Sequence, residues 1–190
     1  MRIRVIGGCV AEFPAVAESQ SIGAFMASIE SAFERVSHPV DLVENLATTH
    51  DWAFERSAVD EITLSVAGSW CDYHVSLNWR DDLEALHMAC AFELKASKPR
   101  MNEIYLLIAT INEQLWLGHF DIWRQEGMLL FRQSLMLNGA EPTGAQCEAL
   151  LHAALSTCER YYQSFQYVIW AGKSASDALA TTMFETEGQA

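Results

Sequence analysis

Basic residues are scarce in this chain. It has 12 lysines and arginines against 25 aspartates and glutamates, a formal net charge of −13. A nucleic-acid partner is therefore disfavoured, because such binding rests on Lys and Arg displacing condensed counterions. An anionic membrane surface is disfavoured by the same charge. Long hydrophobic runs are missing too: none approaches the ~20 residues that span a bilayer. Internal repeats and low-complexity segments are absent. The five cysteines are odd in number and follow no tight spacing. They read as reduced thiols of a cytoplasmic protein rather than a disulfide framework.

What is present is a chain of 190 residues, 51% hydrophobic, enough for one domain with a substantial core. Residues 1–25 are read as an extension. "MRIRVIGGCVAEFPAVA" mimics a signal peptide, but Glu12 and Pro14 interrupt its apolar stretch early. Its "IGGC" lies too near the amino terminus to be a lipidation box with a leader. Translation from Met26 is the plainer account, with a single domain over 26–190.

Within that domain, Ile29, Phe33 and Val36 have helical spacing over 26–36. A second helix opens at Pro39, with Asp41 and Glu44 near its positive end and Val40, Val43 and Leu46–Ala47 facing inward. From Trp52 to about Leu94 the period becomes two. Trp52 and Phe54 mark the first strand, and Ile62, Leu64 and Val66 the second. Cys71, Tyr73, Val75 and Leu77 mark the third, and Leu86, Met88, Cys90 and Phe92 the fourth. Two-residue turns at Gly68-Ser69 and Asp81-Asp82 would set Leu64 opposite Tyr73 and Val75 opposite Met88, with every apolar side chain on one face. A helix over about 98–116 follows, with Gly118 as its terminator. Then come a hairpin, "HFDIWR"–"QEG"–"MLLFRQSLML", and a long helix with Cys147, Leu151, Ala154, Cys158, Tyr161, Phe165 and Val168 on one stripe. Gly172 stops it, and 174–186 forms one more amphipathic piece. The expected class is α+β: an antiparallel sheet, a four-stranded meander plus a hairpin, flanked by helices.

Candidate chemistry is thin. In "WLGHFDIW", His119 and Asp121 share one face of a strand, but no Ser or Cys stands in a nucleophile motif beside them. Cys71, His74, His87 and Cys90 have zinc-like ligand types. A separation of three along a strand sends each Cys and its His to opposite faces, so no metal is expected. "WAGKSA" at 170–175 lacks the Walker glycine, since Tyr167 occupies that position, and it follows a helix. Gly172 as a helix stop and Ser174 as an N-cap explain it. Asp81, Asp82 and Glu84 lack EF-hand spacing. No spacing supports paired glycosidase carboxylates. Cys147 and Cys158 read as packing thiols. No cofactor and no catalytic residue is assigned.

One surplus remains. The last strand is apolar on both faces, with Leu129, Phe131, Leu135 and Leu137 on one and Met128, Leu130 and Met136 on the other, the side of Trp123. Helices of the same chain or a second subunit would cover the second face.

"SHPVDLVE", "DWAFER", "WCDY", "EALHMACAF", "INEQLWLGHFDIW", "GMLLFR" and "FQYVIWAGKSASDAL" occur in that order. Together they resemble the YbjN-domain proteins of bacteria, in the form common in alphaproteobacteria, over about 37–186. His38 stands where a small polar cap is expected. The resemblance implies a fold similar to the type III secretion chaperones, often dimeric, and a role in sensory transduction linked to stress and motility. It brings no active site. The expectation is a non-enzymatic protein-binding module, an adaptor or chaperone-like regulator and a homodimer. Trp70, Trp116, Trp123, Met128, Leu130 and Met136 are its candidate contacts. A small metal-dependent hydrolase using His74, His87, His119 or the Asp81–Glu84 cluster, and a structural subunit of a larger assembly, are the alternatives.

Overall fold

The computed structural model describes residues 38–187. The expected extension and the helix at 26–36 lie outside the described residues. The first helix, α1, spans Pro39–Thr49. His38 caps it: its Nδ1 accepts the Val40 N–H at 3.3 Å, doing with an imidazole what Ser or Asp usually does. Pro39, whose missing N–H costs nothing there, fills the first turn. Val40, Val43 and Ala47 are fully buried.

Six strands follow: β1 Ala53–Ala58, β2 Glu61–Ala67, β3 Asp72–Arg80, β4 Ala85–Lys95, β5 His119–Trp123 and β6 Met128–Met136. They form one antiparallel sheet in the order β1-β2-β3-β4-β6-β5. The alternation of the meander holds, but its register is two residues away from the expected one at both turns. Leu64 faces Val75, and Val75 faces Cys90. Each turn uses four residues, Gly68–Cys71 and Asp81–Glu84, the second a 3-10 turn closed by Glu84 at φ 45°. A shift of two preserves the faces, so the expected inward side chains of β2, β3 and β4 are buried, while Phe54 on the edge strand β1 is 41% exposed and Cys71 is half-buried in the turn.

The helix after β4 is shorter than its apolar pattern. It is preceded by a 3-10 turn, Lys98–Arg100, and α2 runs only from Met101 to Asn112. Beyond Asn112 the chain leaves the helix: Leu115 still packs half-buried against the core, whereas Trp116 is 99% exposed. Gly118, at φ 67°, ends the loop leading into β5 rather than the helix.

The long helix α3, Gly144–Ile169, starts on a capping box between Thr143 and Gln146. The last helix, α4, spans Ala175–Glu187, and Ser174 Oγ accepts the Asp177 N–H at its start. Helix α1 packs on β2 and β3, and α3 on β4 and β6. Their buried residues join Ile62, Leu64, Val75, Met88, Phe92 and Phe131 in one core on the sheet's first face. Its centre is aromatic, with Phe120 ring centroids 5.0 Å from Phe165 and 5.3 Å from Phe131.

Candidate functional site

Strand alternation decides what the second face of the sheet presents. Ile62, Leu64, Tyr73, Val75, Leu86, Met88, Phe120 and Phe131 turn inward. Their neighbours Thr63, His74, Ser76, His87, Asp121, Leu130, Arg132 and Met136 turn the other way. Among the described residues, Val40, Val43 and Ala47 of α1, Ile104, Leu107 and Ile111 of α2, Leu151 and Phe165 of α3, and Ala178 and Leu179 of α4 all belong to the first-face core. Leu130, although 1% exposed, lies outside that core.

The six candidate contacts fall in three places. Trp123, Met128, Leu130 and Met136 are on the second face, with Trp123 directly opposite Met128 and Leu130 opposite both Ala91 and Asp121. Trp123 and Met136 are well exposed, Met128 is half-buried, and Leu130 forms the floor of the face rather than its surface. Trp116 stands free in the loop before β5. Trp70 is elsewhere, in the β2–β3 turn, stacked on Tyr162 of α3 with the rings 4° from parallel.

Beside the apolar patch lies a polar network. Arg132 Nη1 donates to Asp121 Oδ2 at 3.1 Å and Arg132 Nε to His87 Nε2 at 3.4 Å, while His119 is the cross-strand neighbour of Arg132. Asp121 also accepts the Ile122 N–H at 2.8 Å. Its carboxylate therefore serves Arg132 and the backbone. Burial first, then Arg132 and His119, hold the His87 imidazole below its ordinary pKa. Neither Arg132 nor this network stood out in the sequence. The available signal was one cation inside the apolar run "MLLFRQSL".

The other motifs are dispersed. Cys90 is fully buried on the first face and Cys71 is half-buried in the turn before β3, whereas His74 and His87 belong to the second face. Cys90 and Cys158 are in sulfur–sulfur contact at 3.7 Å inside the core. Asp82 is paired with Arg80 through two 2.8 Å bonds, which lower its pKa, and Asp81 accepts the Trp79 indole N–H. Among the described residues no group of three His, Cys, Asp or Glu is placed to hold a metal ion. Among them, too, no helix is long and apolar enough to cross a membrane.

A family model described as "Putative bacterial sensory transduction regulator", YbjN, matches residues 39–167, more than half of the chain. The chain belongs to the YbjN family. A crystal structure of YbjN from E. coli, described as "a putative transcription regulator", is similar at 10% identity and a TM-score of 0.47. It covers 63% of this chain and 85% of that one. No curated protein matches the chain. The matched span runs from α1 to the last turn of α3 and so takes in the whole sheet and both of its faces.

Proposed function

We propose that this YbjN-family chain is a non-enzymatic protein-binding module, a cytoplasmic adaptor or chaperone-like regulator that works as a homodimer. One observation carries the reading. The sheet's second face, clear of helices among the described residues, presents Trp123 at one end of β6 and Met136 at the other, 52% and 70% exposed, with the Arg132–Asp121 pair between them. Exposed aromatic and methionine side chains around a satisfied ion pair suit a contact surface: the apolar groups supply area and the charges fix orientation. An amphipathic or unfolded segment of a partner would lay its apolar side over Trp123 and Met128. The hydrolase alternative has less support, since Asp121 is committed to Arg132 instead of orienting His119.

The test compares the wild-type chain with Trp123→Asp and Met136→Lys in affinity capture and in light scattering after gel filtration. The expected result is that both variants stay folded and lose the same captured protein or the dimer. Unchanged capture and mass in both would refute the reading.

A further inference from the structure

Two of the described thiols meet inside the core. Cys90 of β4 and Cys158 of α3 are both fully buried, and their sulfurs are 3.7 Å apart. Cys90 is paired on both sides, with Val75 of β3 and Phe131 of β6, and Cys158 lies near the middle of α3. Both belong to regular elements, so the fold itself holds the contact. A disulfide is about 2.05 Å long, so the pair needs to close by about 1.7 Å. Side-chain rotation and a helix shift of about 1–2 Å cover that distance.

A third thiol links this pair to the surface. Cys71, in the turn before β3, is half-buried. It is in hydrogen-bond contact with Tyr73 and with Tyr162, one turn of α3 beyond Cys158. It lies close enough to interact electrostatically with both Cys90 and Cys158. Burial raises the Cys71 and Cys158 thiols, so in the resting protein both stay protonated at neutral pH and react slowly. Solvent meets Cys71 first, because Cys90 and Cys158 are fully covered. Cys147 stands outside this group: it is about three turns of α3 before Cys158, and burial is what shifts it.

We propose that Cys90 and Cys158 are a modification site: hydrogen peroxide converts them to a disulfide that ties β4 to α3, with Cys71 as the thiol through which oxidation enters. The Cys71 sulfur attacks one peroxide oxygen, the O–O bond breaks, and a Cys71 sulfenic acid and water form. One thiol of the buried pair then attacks the Cys71 sulfur, breaking its S–O bond and releasing a second water. The other thiol attacks its neighbour's sulfur and breaks the bond to Cys71, which takes up the proton released. Two thiols and one peroxide give one disulfide and two waters. The site lies inside the core and is independent of what the second face binds.

The test treats the folded full chain with millimolar hydrogen peroxide at neutral pH, blocks the remaining thiols and maps linkages by mass spectrometry. Digestion with trypsin and Glu-C serves, since cleavage after Glu148 separates Cys147 from Cys158. The expected product is a Cys90–Cys158 disulfide with Cys71 and Cys147 free, undone by dithiothreitol. The bond spans 68 residues of chain, so the oxidised protein is expected to melt about 5–10 °C higher. Cys71→Ser is expected to slow the linkage at least about tenfold without changing its partners. Cys158→Ala is expected to leave Cys71 as a sulfenic acid that dimedone labels. Absence of the Cys90–Cys158 linkage in the folded wild-type chain overturns the proposal, as does Cys71 joined to either of them as the final product. Unchanged kinetics in Cys71→Ser overturn the entry route. A melting temperature that falls on linkage also overturns the proposal, since the bond would then belong to a distorted core.

Discussion

Asn112, the last residue of α2, closes the outer edge of β5. Its side-chain amide donates to Phe120 O at 3.1 Å and accepts Phe120 N–H at 2.8 Å, so one side chain imitates a neighbouring strand. Asp121 Oδ1 takes the next outward N–H, that of Ile122. Asn112→Ala removes both Phe120 bonds at a residue that is 1% exposed. Each backbone group left unpaired in such a place costs about 1–3 kcal/mol, and entry of water beside a half-buried position recovers part of it. The expected loss is about 2–4 kcal/mol, a large share of the ~5–15 kcal/mol that holds a domain together. Urea unfolding reads it as a lower midpoint with an unchanged slope. Hydrogen exchange reads the Phe120 amide, which should lose protection first. The bared edge should also promote concentration-dependent association. Asn112→Asp separates donor from acceptor. The introduced carboxylate still accepts from Phe120 N–H but faces Phe120 O without a proton to give. It should therefore be nearly as damaging at neutral pH and should regain stability relative to wild type as acid protonates it. A change under about 0.5 kcal/mol in Asn112→Ala, with the Phe120 amide still protected, would refute the reasoning.

His87, held below its ordinary pKa of 6.5, takes up its proton more readily in the unfolded chain. Stability should therefore fall as pH drops through about 6.5, and His87→Gln should flatten that part of a pH-dependent unfolding series. Gly127 sits at φ 70° with the Ala96 carbonyl against its open side, so Gly127→Ala should cost at least about 1–3 kcal/mol in chemical denaturation. Burial pushes the Cys147 thiol up to about 11. Among the four described cysteines, half-buried Cys71 should react first with a thiol reagent at pH 8, and Cys147 only on unfolding.

Much of the fold is legible in the residues because a period of two assigns faces regardless of turn length. That is why Cys90 and His87 part company across β4 even though the expected pairing is displaced. Turn length is a different matter. Gly68 opens a four-residue turn because Glu159, far along the chain, receives Ser69, and no local pattern reports that. Glu84 supplies a positive φ that a glycine would usually announce. The end of α2 is hidden for a similar reason: Leu115 continues the apolar stripe, but Asn112 is needed by Phe120. At the candidate face, the apolar members Trp123, Met128 and Met136 can be read from the two-sided hydrophobicity of β6. Arg132 and His87 cannot, because their link joins strands separated by a helix and a loop.

The position of β6 between β4 and β5 sets an order on assembly. The meander can zip from one tight turn to the next, but the pairing of Leu86 with Leu135 closes a loop of about 50 residues. The slow step in refolding should be this closure. Until β6 has left the ribosome, the apolar flank of β4 stands bare, and a chain truncated before Met128 would offer neighbouring molecules a ready template.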